Sequence, residues 1–191
     1  MPEENEYHNI YFAAVLCPEN VEREVKKWKA WMKEQFGCVV AMKSPAHITL
    51  IPPFWFDSRK ESELVSALSG FSSNEPEATI SLNGFAHFGK RVLFVAVEEN
   101  KTLERVKKQT ENYFHKRFGS AIKIDTRDFH PHVTIANRDL SPADFVKAWH
   151  HFEHKPYEVS FTTATISLLK LDGTWGMIAQ QVWSQDSSRV K

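Results

Sequence analysis

His132-Val133-Thr134-Ile135 and His47-Ile48-Thr49-Leu50 are near copies of each other: a histidine, a β-branched apolar residue, a threonine and a second apolar residue. In a strand successive side chains project to opposite faces, so His47 and Thr49 share one face while Ile48 and Leu50 take the other. His132 and Thr134 share a face by the same rule. A single such tetrapeptide says little, because a lone histidine on a half-buried strand is more often a hydrogen-bonded structural residue than a catalyst. Two copies call for an explanation.

The residues around them repeat as well. Phe12-Ala13-Ala14-Val15 answers to Phe94-Val95-Ala96-Val97, Val21-Glu22-Arg23 to Leu103-Glu104-Arg105, and Phe36-Gly37 to Phe118-Gly119, each 82 residues on. The two His-x-Thr stretches are 85 apart, which needs a three-residue insertion between helix and strand. Leu64-Val65-Ser66-Ala67-Leu68 aligns with Phe145-Val146-Lys147-Ala148-Trp149, and Phe71 with Phe152, at an offset of 81.

Local patterns turn the repeat into elements. Asn9–Leu16 is apolar and aromatic and suits a buried strand. Pro18-Glu19 opens a helix on which Val21, Val25, Trp28 and Met32 form one buried stripe, ended by Gly37 in a left-handed cap. A strand holds His47 to Leu50 and is stopped by Pro52-Pro53. Ser58 and Glu61 form a capping box ahead of a helix with Leu64, Leu68 and Phe71 inside. A strand from about Thr79 to Phe88 turns at Gly89-Lys90 into Val92–Val97. In the second half Ser141-Pro142-Ala143-Asp144 opens a helix. A last long strand, roughly Val159–Leu171, turns at Asp172-Gly173 into Trp175–Trp183. Each half reads strand, helix, strand, helix, strand. The expected fold is α/β (α+β), one bilobal domain over 1–191, internally duplicated with pseudo-twofold repeats at about 9–91 and 92–183. Polar, frayed tails are expected at Met1–Glu6 and Gln185–Lys191. Equivalent residues of the two lobes would face each other across the axis.

Composition narrows the function. Lys plus Arg and Asp plus Glu number 24 each among 191 residues, so no global basic field attracts long nucleic acid, and any such contact is local. Cys17 and Cys38 lie in apolar surroundings without a partner motif, and no signal peptide opens the chain, which reads as a reduced, cytoplasmic protein. No apolar run reaches the roughly 18–20 residues of a membrane span. A monomer is expected.

Two histidines on opposite sides of a phosphate could take a proton from a nucleophile and give one to the leaving oxygen, because imidazole titrates near neutral pH. A threonine hydroxyl beside each could donate to a non-bridging phosphate oxygen as charge builds there. With Phe129-His130-Pro131 before the second motif and Tyr11–Leu16 leading into Pro18-Glu19, the paired stretches resemble the two-histidine (2H) phosphoesterase superfamily. That superfamily includes the bacterial 2′-5′ RNA ligase and RNA 2′,3′-cyclic phosphodiesterase proteins. The ending Leu168-Leu169-Lys170-Leu171-Asp172-Gly173-Thr174-Trp175 is similar to the final hairpin of a less characterised branch of phosphoesterases. The resemblance spans Asn9 to Trp183. It implies a bilobal fold with antiparallel sheets lining a central cleft and helices outside. It also implies cleavage of 2′,3′-cyclic or 2′-5′ phosphodiesters of RNA ends or small nucleotides without metal or cofactor, with ligation as the reverse reaction. The residues carried over are His47, Thr49, His132 and Thr134. The bulky Pro52-Pro53-Phe54-Trp55-Phe56 after the first motif departs from the pattern and bears on the substrate class. Pseudo-symmetry leaves the assignment of base and acid open.

Other residues invite weaker readings. Phe129 could stack on a base, Arg138 could neutralise phosphate charge, and His87 ends a strand that reaches toward the cleft. His150, His151 and His154 read as a polar helix end rather than a metal site, and Pro131 between His130 and His132 argues against zinc there. Lys26, Lys27, Lys29 and Lys33 read as a solvated helix face. Two rivals to the enzyme are a module that grips a nucleotide or RNA end without turnover, and a histidine-metal hydrolase.

Overall fold

The computed structural model describes residues 7–184. The two tails expected to fray, Met1–Glu6 and Gln185–Lys191, lie outside the described residues. The elements in chain order are β1 (His8–Leu16), α1 (Glu19–Phe36), β2 (His47–Asp57), α2 (Glu61–Ser69), β3 (Ala78–Phe88), β4 (Val92–Val97), α3 (Lys101–Phe118), β5 (His132–Ala136), α4 (Pro142–Phe152), β6 (Glu158–Thr163), β7 (Thr165–Asp172) and β8 (Thr174–Val182). They build an α+β fold with two antiparallel four-stranded sheets, ordered β2-β1-β7-β8 and β5-β4-β3-β6.

The duplication is visible element by element. α1 and α3 are both 18 residues long and start 82 residues apart. The connection from helix to His-x-Thr strand runs over 37–46 in the first half and 119–131 in the second, the second longer by three residues. In each sheet the central pair is the opening strand of a half and the strand that closes the other half. β3 pairs with β4, and β7 pairs with β1.

One apolar core lies beneath both sheets. Val21, Val25 and Met32 of α1 are fully enclosed, as are Leu64 and Leu68 of α2, Phe114 of α3 and Phe152 of α4. Burying each of these side chains contributes about 1.5–3 kcal/mol. The caps follow the sequence in two places. Gly37 takes a left-handed φ of 71° and its N–H donates to Lys33 O, and Ser141 Oγ accepts from Asp144 N–H at 3.1 Å.

Four expectations are corrected. Pro52-Pro53 does not stop the strand: β2 continues to Asp57, because it is an edge strand and a proline that cannot donate is tolerated where no neighbour needs its N–H. Bulges between Tyr11 and Ala14 absorb two extra residues of β2 opposite β1. The Ser58–Glu61 capping box does not form. Asp57 caps a short 3₁₀ turn by accepting from Arg59 N–H at 3.0 Å, while Glu61 accepts from Tyr11 OH and pairs with Lys170 Nζ, each at 2.7 Å. The long strand Val159–Leu171 is two strands, since the chain leaves β3 of one sheet at Thr163 and joins the other sheet from Thr165, pairing with β8 there and with β1 from Ser167. Lys29 is not solvated: it is 3% exposed, on the inner side of α1.

Candidate active site

The alternation expected of the two motifs is present in both. Ile48 and Leu50 on β2, and Val133 and Ile135 on β5, are buried, while His47, Thr49, His132 and Thr134 sit half-buried on the other face. β2 pairs Leu16 with His47 and Ala14 with Thr49; β5 pairs Ala96 with His132 and Phe94 with Thr134. Since Phe94 corresponds to Phe12 in the repeat, the second pairing has slipped by two residues. A slip of two preserves the face of every side chain, where a slip of one would invert it.

Each histidine is held in the same way. The Nδ1 of His47 lies 2.7 Å from Pro45 O, and that of His132 lies 2.8 Å from His130 O. A carbonyl can only accept, so Nδ1 carries the hydrogen in both rings and Nε2 is left with its lone pair. Each ring also packs on the repeat-equivalent phenylalanine, Phe12 with His47 at 4.7 Å between centroids and Phe94 with His132 at 4.9 Å. Those two phenylalanines were legible as a repeat and were missed as supports.

Burial favours the neutral imidazole at both positions. It pushes His47 down to about 4; the bond to Pro45 opposes this, and the charges of Lys29 and His132 add to it. His132 is lowered by burial and by the charge of His130, against the bond to the His130 carbonyl. That His47 feels the charge of His132 puts the two rings in one electrostatic neighbourhood, consistent with β2 and β5 packing against each other.

Aromatic residues flank the second histidine. Phe88 meets the His132 ring edge to face at 4.9 Å. Phe88, Phe94, Phe129, His130 and Pro131 are among the residues that line a cavity of about 580 Å³. Phe129 also packs on the core and lies 5.5 Å from Lys107 Nζ. Phe88 was not singled out by the sequence; its signal is its alternation with His87 at the end of β3. A second cavity, about 560 Å³, lies farther along β2 between Pro52, Pro53 and Trp55 and the loop that carries Lys123 to Arg127.

His87 lines the same cavity, and the other candidates are placed elsewhere. His87 donates from Nδ1 to Gly89 O at 2.8 Å and packs on Phe145 and Trp149 of α4, on the opposite face of β3 from Phe88. Arg138 is exposed in the turn after β5, with φ 33°. Its neighbour Asp139 accepts from Val39 N–H at 2.6 Å and Val40 N–H at 2.8 Å, so this turn ties the second motif to the end of α1. His150 Nδ1 contacts Glu153 Oε1 at 2.8 Å, and His151 stacks on Trp31 at 4.0 Å. Among the described residues no three His, Cys, Asp or Glu side chains gather as a metal site. No helix among them is long and apolar enough to cross a membrane.

Two antiparallel sheets lining a cleft, with a His-x-Thr strand at the edge of each, are the architecture of the two-histidine phosphoesterases. The sequence profile of the 2′-5′ RNA ligase superfamily matches residues 17–175, and the chain belongs to that superfamily. Solved structures agree in fold. LigT of E. coli, crystallised with 3′-AMP, superposes with a TM-score of 0.66 at 19% identity, covering 93% of this chain and 99% of LigT. LigT crystallised with ATP gives 0.64 at 17% identity over 93% and 99%. TT0787 of Thermus thermophilus gives 0.64 at 15% identity over 92% and 99%. No curated protein matches the chain.

Proposed function

We propose that the protein is a metal-independent phosphoesterase that hydrolyses 2′,3′-cyclic or 2′-5′ phosphodiesters of RNA ends or small nucleotides, with 2′-5′ ligation as the reverse reaction. The observation that carries this reading is the doubled support of the histidines: both donate from Nδ1 to the carbonyl two residues back, so both offer Nε2 to the cleft face that also bears Thr49 and Thr134. In hydrolysis one neutral imidazole takes a proton from water as its oxygen bonds to phosphorus. The other, protonated, gives its proton to the ribose oxygen as the bond from phosphorus to that oxygen breaks. Proton transfer of this kind contributes roughly 10²–10⁴ in rate. The threonine hydroxyls donate to the non-bridging oxygens and stabilise their growing charge.

The cavity beside His132 takes the base against Phe88 and Phe94, with Phe129 and His87 also in its lining, and Arg138 lies outside it. LigT was crystallised with 3′-AMP, NADP+ and ATP, and those complexes of LigT support a nucleotide-sized ligand here. The two unpaired cysteines, Cys17 and Cys38, support the further proposal of a reducing, cytoplasmic setting, and we propose a monomer. The test is incubation with nucleoside 2′,3′-cyclic phosphates and a 2′-5′ dinucleotide, with and without EDTA. We expect turnover that EDTA leaves intact and that falls at least ~100-fold in His47→Ala and in His132→Ala. Saturable binding with no product would replace the enzyme by a binding module, and loss of turnover in EDTA would replace it by a metal hydrolase.

A further inference from the structure

The turn before His47 is fully accounted for in hydrogen bonds, and α1 supplies the decisive ones. Ser44 N–H donates to Ala41 O at 3.4 Å, and Ser44 O accepts from Lys29 Nζ at 2.8 Å. Pro45 O accepts from His47 Nδ1. Ala46 N–H donates to Glu22 Oε2, and Ala46 O accepts from Cys17 N–H at 3.0 Å. Every backbone polar group of Ser44-Pro45-Ala46 therefore has a partner, and two of those partners are charged side chains on one face of α1, about two turns apart. Bonds to charged groups are the stronger ones.

The second half cannot build this clamp. Its counterpart of Ala46 is Pro131, which has no N–H to offer a carboxylate. Its counterpart of Lys29 is Glu111, which is buried and paired with Lys107 at 2.7 Å. The repeat is thus broken at Lys29, which holds Ser44 O, and at Ala46, whose N–H Glu22 holds, and the cation behind the first histidine has no equivalent behind the second.

The groups around His47 can be named from each side. α1 presents Lys29 and Glu22, with Lys26 paired to Glu22 at 3.2 Å; the end of β1 presents the neutral Cys17 thiol; β5 presents His132. Lys29 is itself enclosed, and burial pushes it down to about 8, so it keeps most of its charge at neutral pH.

We propose that Lys29, together with Glu22, is a positioning residue for His47: it locks the Ser44–Ala46 turn, stands a positive charge behind the imidazole, and so makes His47 the proton acceptor of the pair and His132 the donor. This rests on the function proposed above, and it breaks the symmetry that the duplicated motif leaves open. Lys29 touches no substrate. It acts through Pro45, whose carbonyl holds Nδ1–H and turns Nε2 outward.

The test uses long-range ¹H–¹⁵N NMR of the histidine rings across pH, which needs no substrate, followed by pH–rate profiles of the same proteins. Lys29→Met removes the cation from behind His47, and its titration is expected to move to higher pH. Glu22→Gln keeps an acceptor for Ala46 N–H but removes an anion, and the titration is expected to move to lower pH. His132 is expected to stay where it is in both. The acidic limb of kcat/KM follows His47 in the same two directions, and Lys29→Arg, which restores charge and donor, returns it toward the parent position. Loosening of structure alone cannot move one ring in opposite senses. If Lys29→Met fails to fold, the downward shift in Glu22→Gln carries the test. Unmoved His47 titration in folded variants overturns the proposal, whatever the activity. Shifted titration in a protein that turns over no phosphodiester overturns the proposed function and leaves the clamp standing.

Discussion

Acidification should unfold this protein partly through a single ring. His47 is lowered from 6.5 to about 4 by burial, whereas in the unfolded chain it titrates at its ordinary value. The sign follows from which state binds the proton more readily. Above pH 6.5 both states are neutral at this position and it contributes nothing to the pH dependence. As pH falls from 6.5 toward 4 the unfolded chain takes up the proton and the native one does not, so stability is lost across that window. At pH 5 the unfolded ring is almost fully protonated and the native ring about one-tenth so, which costs about 2 kcal/mol relative to pH 7. The assay is urea denaturation at pH 7 and pH 5, with His47→Gln as reference. Every other titrating group is common to both proteins and cancels in the difference. The parent should lose about 2 kcal/mol more than His47→Gln between these pH values. Equal losses would refute the argument that burial keeps this imidazole neutral.

Other expectations are checked as simply. Turnover of a 2′,3′-cyclic substrate should give a bell-shaped pH profile, because it needs one histidine neutral and one protonated, and replacing either with alanine should cost at least ~100-fold in kcat/KM. Asp139→Ala releases two backbone donors, at Val39 and Val40, from a charged acceptor and should lower stability by about 2–3 kcal/mol in chemical denaturation. Ser141→Ala removes the α4 cap and should cost about 1 kcal/mol by the same measurement, leaving catalysis alone. Phe88→Ala strips the wall of the cavity beside His132 and should raise KM for a cyclic nucleotide more than it lowers kcat, read from initial rates.

What the sequence discloses is set by how local the signal is. Strand periodicity, the Gly37 cap and the Ser141 cap depend on residues a few positions apart, and the repeat, at an offset of 82 that becomes 85 at the motifs, locates both of them without any structure. The prolines of β2 misled because whether a proline ends a strand depends on whether a neighbour needs its N–H, and that is decided by β2 lying at a sheet edge. The break at Ala164 is invisible for a related reason: Val159–Leu171 is continuously strand-like, and only the pairing with two different sheets divides it. Lys29 follows Val25 by four residues and so lies on the buried stripe, yet lysine biases the reading toward solvent; its partner, Ser44 O, is a backbone group with no mark in the sequence. The support of His47 by Phe12 and of His132 by Phe94 needed the register between strands as well as the repeat.

The exchange of closing strands between the sheets has a consequence for how the chain can come apart. Cut at the Gly89-Lys90 turn, the first piece keeps β1 and β2 but not the β7 and β8 that complete their sheet, and the second keeps β4, β5 and β6 with the β3 position empty between them. Neither half completes a sheet on its own in this arrangement. Tyr11 pairs with Lys170, so the sheet that holds His47 cannot be closed until nearly the whole chain is present. A newborn chain therefore gains both histidines long before it gains the frame that makes them a pair.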